Sequence, residues 1–182
     1  MRPRDEQGIK LIPEPFGMIE RDAILRVWDS GRITMGPETE AFEKELAEWF
    51  GVQHAVMVNS GSSANLLMVQ SAQLPAGSEV IVPALTWSTS VAPVLQAGCV
   101  PVFVDCDPDT LQMDMPDVLS AVSEKTSAVM VCHLMGNACD MSRLSFMQDD
   151  VHILEDCCES FGAEYGDEPV GTFGRSASLS FY

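Results

Sequence analysis

Cations are scarce in this sequence. Ten lysines and arginines stand against 27 aspartates and glutamates in 182 residues, a formal net charge of -17. Such a charge repels phosphate backbones and anionic bilayers, and the lysines, Lys10, Lys44 and Lys125, are scattered rather than clustered. Nucleic acid is therefore not an expected partner. Long apolar runs are missing as well: none approaches the roughly twenty residues of a membrane span, and the opening MRPRDEQGIK has no hydrophobic signal core. No membrane association is expected, and the expected location is the cytoplasm. There are no internal repeats and no low-complexity linker. The six cysteines, Cys99, Cys106, Cys132, Cys139, Cys157 and Cys158, form no CxxC and have no histidine at zinc-finger spacing. They read as reduced, small hydrophobes of the core, and no metal site is expected; only the adjacent Cys157 and Cys158 raise a functional question.

What is present is apolar material in a regular alternation. With 46% hydrophobic residues the chain can bury one substantial core. Pro15 to Gly31 predicts a first helix and Pro37 to Phe50 a second, with Pro37 in the first turn and Gly51 as the stop. Phe42, Leu46, Trp49 and Phe50 make an apolar stripe on that second helix, read as core. From His54 onward, short apolar runs alternate with helical segments. The predicted strands are Ala55–Asn59, Glu79–Pro83, Val100–Asp105, Ser127–His133 and a run through Val151, Ile153 and Leu154; the predicted helices are Ala64–Ala72, Thr86–Gln96, Met115–Val122 and Asp140–Gln148. Strands apolar on both faces, separated by helices, predict an α/β fold of three layers with a mostly parallel sheet. AEYGDEPVGTFG reads as a hairpin-like excursion, and ASLSFY as a last strand. Because that strand runs to the final residue without cap or turn, the chain reads as a fragment of something longer.

Three groups of residues carry candidate chemistry. Ser60-Gly61-Ser62-Ser63-Ala64 is a strand-to-helix turn of small residues, where free N–H groups and hydroxyls can hold a phosphate; a serine there also serves as a simple helix cap. It is neither a Walker loop nor GxGxxG. Trp87, just after a strand, can be core or can stack on a flat heteroaromatic ring. Asp156, in the central stretch VHILEDCCESFGA, follows a buried run at the carboxyl end of its strand, where open α/β sheets keep their ligand crevice. It can cap a turn, or it can keep a pyridine nitrogen protonated, the arrangement that makes pyridoxal phosphate an electron sink. One cofactor accounts for all three.

On these residues the chain resembles the DegT/StrS family of nucleotide-sugar aminotransferases, pyridoxal-phosphate enzymes of the aspartate aminotransferase fold (fold type I). The similar segments are ITMGPETEAFEKELAEWFG, AVMVNSGSSANLL, VIVPALTWSTS, HLMGN, ILEDCCESFGA and GTFG with SLSFY. The resemblance implies that Ser62 and Ser63 meet the phosphate, Trp87 stacks on the ring, Asp156 pairs with the ring nitrogen and Ser180 touches the phosphate again. Thr34-Met35-Gly36 corresponds to a substrate-side loop, and His133 lies near the cofactor or is a buried structural imidazole. Where the family's motif has glutamine near the phenolic oxygen, this chain has Glu159, either catalytic there or simply a surface acid. With Trp87 and the NSGSSANLL and SLSFY wording, Glu159 looks more like the branch that uses pyridoxamine phosphate to remove the 3-hydroxyl of nucleotide-linked 4-keto-6-deoxy sugars. A sugar aminotransferase and a non-catalytic fragment or family member are the alternatives. The resemblance further implies an N-terminal helical segment over residues 1–32, an incomplete cofactor-binding large domain over 33–182 and an absent C-terminal small domain. The principal lysine or histidine would then lie just beyond Tyr182, leaving the fragment inactive by itself, and the full-length protein would be a homodimer.

Overall fold

The three central strands each carry a short run of buried apolar side chains, Val80 to Val82, Ala128 to Val131 and Ile153 to Leu154, and those runs decide the architecture. The computed structural model describes residues 16–144, 147 and 151–181. Its main sheet joins β1 (Glu79–Pro83), β2 (Val100–Val104), β3 (Thr126–Cys132), β4 (His152–Asp156) and β7 (Ser176–Ser178) in the order β2-β1-β3-β4-β7, every neighbouring pair parallel. β5 (Glu164–Tyr165) and β6 (Glu168–Pro169) form a separate antiparallel hairpin, as the sequence predicts.

Alternation along the strands supplies both faces of the sheet. Ile81, Val129, Val131 and Ile153 point into one cluster with Val118 of α5 (Met115–Ala121), Cys139, Met141, Leu144 and Met147. Val80, Val82, Ala128, Met130 and Leu154 point into the other, with Met68 and Val69 of α3 (Gly61–Ser71) and Val94 of α4 (Ser88–Gln96). Each aliphatic side chain buried in this way contributes about 1.5–3 kcal/mol, more than a helix cap at about 1 kcal/mol, so packing on the sheet governs where the helices lie.

The chain divides into two compact units between Leu46 and Ala47. In the first, α1 (Met18–Asp29) begins with the Glu20 carboxylate accepting the Gly17 N–H at 2.7 Å, and α2 (Pro37–Phe50) starts on its proline. Pro15, the expected start of the first helix, lies outside the described residues. α2 stops at Gly51, whose φ of +66° lets the N–H groups of Gly51 and Val52 reach the Glu48 and Ala47 carbonyls. In the second unit, Trp49 and Phe50 are only partly covered: Trp49 stacks on Phe161 at 5.2 Å, with Phe50 and Phe181 edge-on to the same ring.

Three elements differ from the sequence expectation. Ala55–Asn59 forms no strand: it has no β-ladder partner among the described residues, and Val56 is exposed. Of the helix expected over Asp140–Gln148, the described part is a 3-10 turn, Met141–Arg143, with further i to i+3 bonds from Leu144 to Met141 and from Met147 to Leu144, while residues 145, 146 and 148 lie outside the described residues. Met141, Leu144 and Met147 all face the core, and their spacing of three matches three residues per turn. The last strand is short, because β4 offers it partners only from Leu154 to Asp156.

Candidate functional site

In a parallel sheet all strands end on one edge, and here that edge gathers the polar residues. Asp156 closes β4 and is almost fully buried. Its Oδ2 accepts from Asn65 Nδ2 at 2.8 Å and from Ser90 Oγ at 2.7 Å. Its Oδ1 accepts from the Cys158 N–H at 3.1 Å. Asn65 sits in the first turns of α3 and Ser90 in the first turn of α4, so two helix starts converge on one carboxylate. The donors are themselves oriented. Thr86 Oγ1 lies 2.8 Å from Ser90 Oγ, and Ser178 Oγ donates to Asn65 Oδ1. All of these donors are neutral, and among the described residues Asp156 has no ion pair. A buried anion without a cation is costly, and a protonated ring nitrogen would supply the missing positive charge.

The serine turn stands beside it. Ser60 caps α3, accepting the Ser63 N–H at 3.2 Å, which leaves the Gly61 and Ser62 N–H groups without an acceptor inside the helix. Gly61 is buried because other chain segments come close: a Cβ there would stand 2.7 Å from Ser180 Cβ and 2.9 Å from both Ser180 Oγ and Cys158 Sγ. Ser180 is thereby brought to the α3 N-terminus, and the missing side chain at Gly61 is what lets Ser180 and Cys158 pack against that turn. These features fit a phosphate at the helix start and a pyridine ring on Asp156.

Other expected site residues occupy varied positions. Trp87 is the residue before α4, the helix that contributes Ser90, and is 72% exposed. Ser62 is exposed and Ser63 half-buried. Glu159 is exposed, and its Oε2 accepts the Met135 N–H at 3.1 Å. Thr34, Met35 and Gly36 belong to the first unit, where Gly36 is buried and its carbonyl receives the Glu40 N–H. Asn65, Ser90 and Ser178 are additions that the sequence reading lacked; the signal available was polarity on an otherwise buried helix or strand face.

His133 and Glu155 are fully buried and belong to a clip behind the site. Glu155 Oε1 accepts the Gly174 N–H at 2.6 Å, while Oε2 accepts the Gly171 N–H at 2.7 Å and His133 Nε2 at 3.1 Å. His133 Nδ1 accepts the Cys139 N–H at 3.1 Å, which assigns the ring proton to Nε2 and makes the imidazole neutral. Ligand atoms of His133, Glu155 and Cys157 lie within 4.8 Å of one another. Both ring nitrogens and both carboxylate oxygens are already committed to protein hydrogen bonds, so the cluster is structural.

The cysteines are free thiols, and burial dominates their chemistry. Desolvation, reinforced by Asp156, pushes the Cys132 and Cys158 thiols up to about 12; burial pushes Cys139 up to about 12, and Cys157 is raised further still. A rise of this size cuts the thiolate fraction at neutral pH by about a thousandfold. Iodoacetamide should therefore modify the half-buried Cys106 first, with Cys132, Cys139, Cys157 and Cys158 resistant until the protein unfolds. Peptide mass spectrometry over a labelling time course checks this, and early modification of Cys158 would contradict it.

The profile of the DegT/DnrJ/EryC1/StrS aminotransferase family matches residues 17–182. A GDP-4-keto-6-deoxy-D-mannose 3-dehydratase of Yersinia pseudotuberculosis is 41% identical over 171 residues, covering 90% of this chain and 44% of the relative. A GDP-perosamine synthase of Vibrio cholerae is 37% identical over 163 residues, covering 88% and 44%. Among solved structures, the Escherichia coli GDP-4-keto-6-deoxy-D-mannose 3-dehydratase with bound hydrated pyridoxal phosphate superposes with a TM-score of 0.85 at 38% identity, covering 88% of this chain and 43% of that one. The chain thus spans less than half the length of the relatives it matches.

Proposed function

Because the chain belongs to the DegT/DnrJ/EryC1/StrS aminotransferase family, we propose that its residues form the cofactor-binding part of a pyridoxal- or pyridoxamine-phosphate enzyme that removes the 3-hydroxyl of a nucleotide-linked 4-keto-6-deoxy sugar. The observation that carries the reading is the convergence of Asn65 and Ser90 on the buried Asp156, which has no ion pair among the described residues, beside the Ser60-capped start of α3 where Ser180 packs on Gly61. When bound, the cofactor supplies an electron sink whose strength depends on a protonated ring nitrogen. Asp156 holds that proton at the nitrogen, and the neutral donors around the carboxylate keep it aimed. Ser62, Ser63 and Ser180, with the α3 N-terminal N–H groups, take the phosphate. Trp87 covers a ring face and excludes water from it. Thr34, Met35 and Gly36 are assigned to substrate. The cofactor belongs to the second unit, and the principal proton-transferring lysine or histidine is assigned to the residues that follow in the full-length protein, a homodimer.

The similarity to the Vibrio cholerae synthase supports a second reading, a sugar aminotransferase. The two separate in one experiment on the full-length protein. With pyridoxamine phosphate and a GDP-linked 4-keto-6-deoxy sugar, the dehydratase reading expects loss of the 3-hydroxyl by mass spectrometry and no covalent adduct after borohydride. A 4-amino product, with a cofactor trapped on lysine, would replace it by the aminotransferase reading. Absence of any cofactor absorbance would end both.

A further inference from the structure

Met135 is held in a conformation it does not prefer. Its φ of +54° and ψ of +34° place a non-glycine residue in the left-handed region, at a cost of about 1–2 kcal/mol, while its side chain is 77% exposed. Hydrogen bonds brace the turn on both sides of it. The Leu134 N–H donates to Gln112 Oε1 and the Leu134 carbonyl accepts from Gln112 Nε2, both at 3.2 Å. Asn137 Nδ2 donates to the Thr110 carbonyl at 3.0 Å. The Met135 N–H goes to Glu159, and a Cβ on Gly136 would stand 4.0 Å from the Glu159 carbonyl oxygen, so the two turns lie against each other. The Leu134–Gly136 turn leaves the carboxyl end of β3, and Glu159 follows Asp156 at the carboxyl end of β4, both on the edge that carries the candidate crevice.

From this geometry we infer that Glu159 is a positioning residue: its carboxylate oxygen holds the strained turn and thereby fixes the exposed Met135 side chain as an apolar part of the crevice rim. What the position requires is an acceptor oxygen on a side chain of this length. Charge is secondary, so glutamine at 159 satisfies it and alanine does not. The rim's effect on ligand binding rests on the proposed function, whereas the hold on the turn does not.

The test compares Glu159→Gln, Glu159→Ala, Met135→Gly and the Met135→Gly/Glu159→Ala double variant of the full-length protein. Hydrogen–deuterium exchange over residues 134–137, measured without cofactor, should quicken about fivefold in Glu159→Ala, the effect of one lost hydrogen bond. Glu159→Gln should return the exchange to wild-type rates. Titration with pyridoxal phosphate, followed by absorbance, should show weaker binding in Glu159→Ala and recovery in Glu159→Gln. Met135→Gly keeps the N–H that Glu159 accepts but removes the side chain, so adding Glu159→Ala to it should still quicken exchange about fivefold while weakening cofactor binding no further. Unchanged exchange in Glu159→Ala, or a Glu159→Gln variant as impaired as alanine in both readouts, would overturn the inference. If wild-type protein bound no cofactor, the proposed function would fall while the exchange comparison still decided this point.

Discussion

Asp156→Asn in the full-length protein is expected to lower kcat by about a hundredfold to a thousandfold, the scale of removing one preorganised electrostatic partner from a buried site. The volume hardly changes, but the hydrogen-bond pattern does. At present both oxygens accept, Oδ2 from Asn65 and Ser90 and Oδ1 from the Cys158 N–H. An amide in that place keeps one oxygen. If it serves Asn65 and Ser90, the new NH2 group faces the Cys158 N–H and no longer offers a negative charge to the ring nitrogen. If it is flipped, three donors crowd the other side. Steady-state kinetics with thermal melts separate the chemical loss from unfolding. A folded variant with wild-type kcat would remove Asp156 from the mechanism.

Glu155→Ala carries the largest expected loss of stability, about 3–5 kcal/mol, because it leaves three donors unsatisfied at about 1–3 kcal/mol each. It would strand His133 Nε2–H and the N–H groups of Gly171 and Gly174, all now bonded to one carboxylate. Glu155→Gln should cost less, about 1–3 kcal/mol, because its amide still opposes one of those donors. Gly174→Ala attacks the same clip from the other side, since its Cβ would stand 2.5 Å from the Ile153 carbonyl oxygen. Urea unfolding of the three variants should rank glutamine as the mildest, and wild-type stability for Glu155→Ala would contradict the clip.

The strands of the sheet centre were legible because their side chains alternate between two apolar layers: Glu79–Pro83 falls where the sequence places it. Ala55–Asn59 has the same apolar wording, yet composition cannot say whether a neighbour exists to pair with it, and no ladder forms there. Asp156 stood out at a strand end because an acid after buried aliphatics is unusual. Its neighbour Glu155 drew no separate reading, although alternation aims it at the opposite face, where Gly171 and Gly174 meet it from sixteen and nineteen residues away. Asn65 was hidden for a similar reason: its contact with Asp156 spans 91 positions, and no local spacing encodes such a pairing.

The shared direction of the strands also leaves a spare side. At the edge opposite the crevice, Ser123 Oγ donates to Glu79 and Ser78 pairs with Ser127, while Lys125 leads into β3. None of these groups takes part in the cradle or the clip. A fluorophore or a biosensor chip coupled through Lys125 would therefore report on or capture this unit from behind, with the sheet itself as the spacer between the attachment point and the ligand.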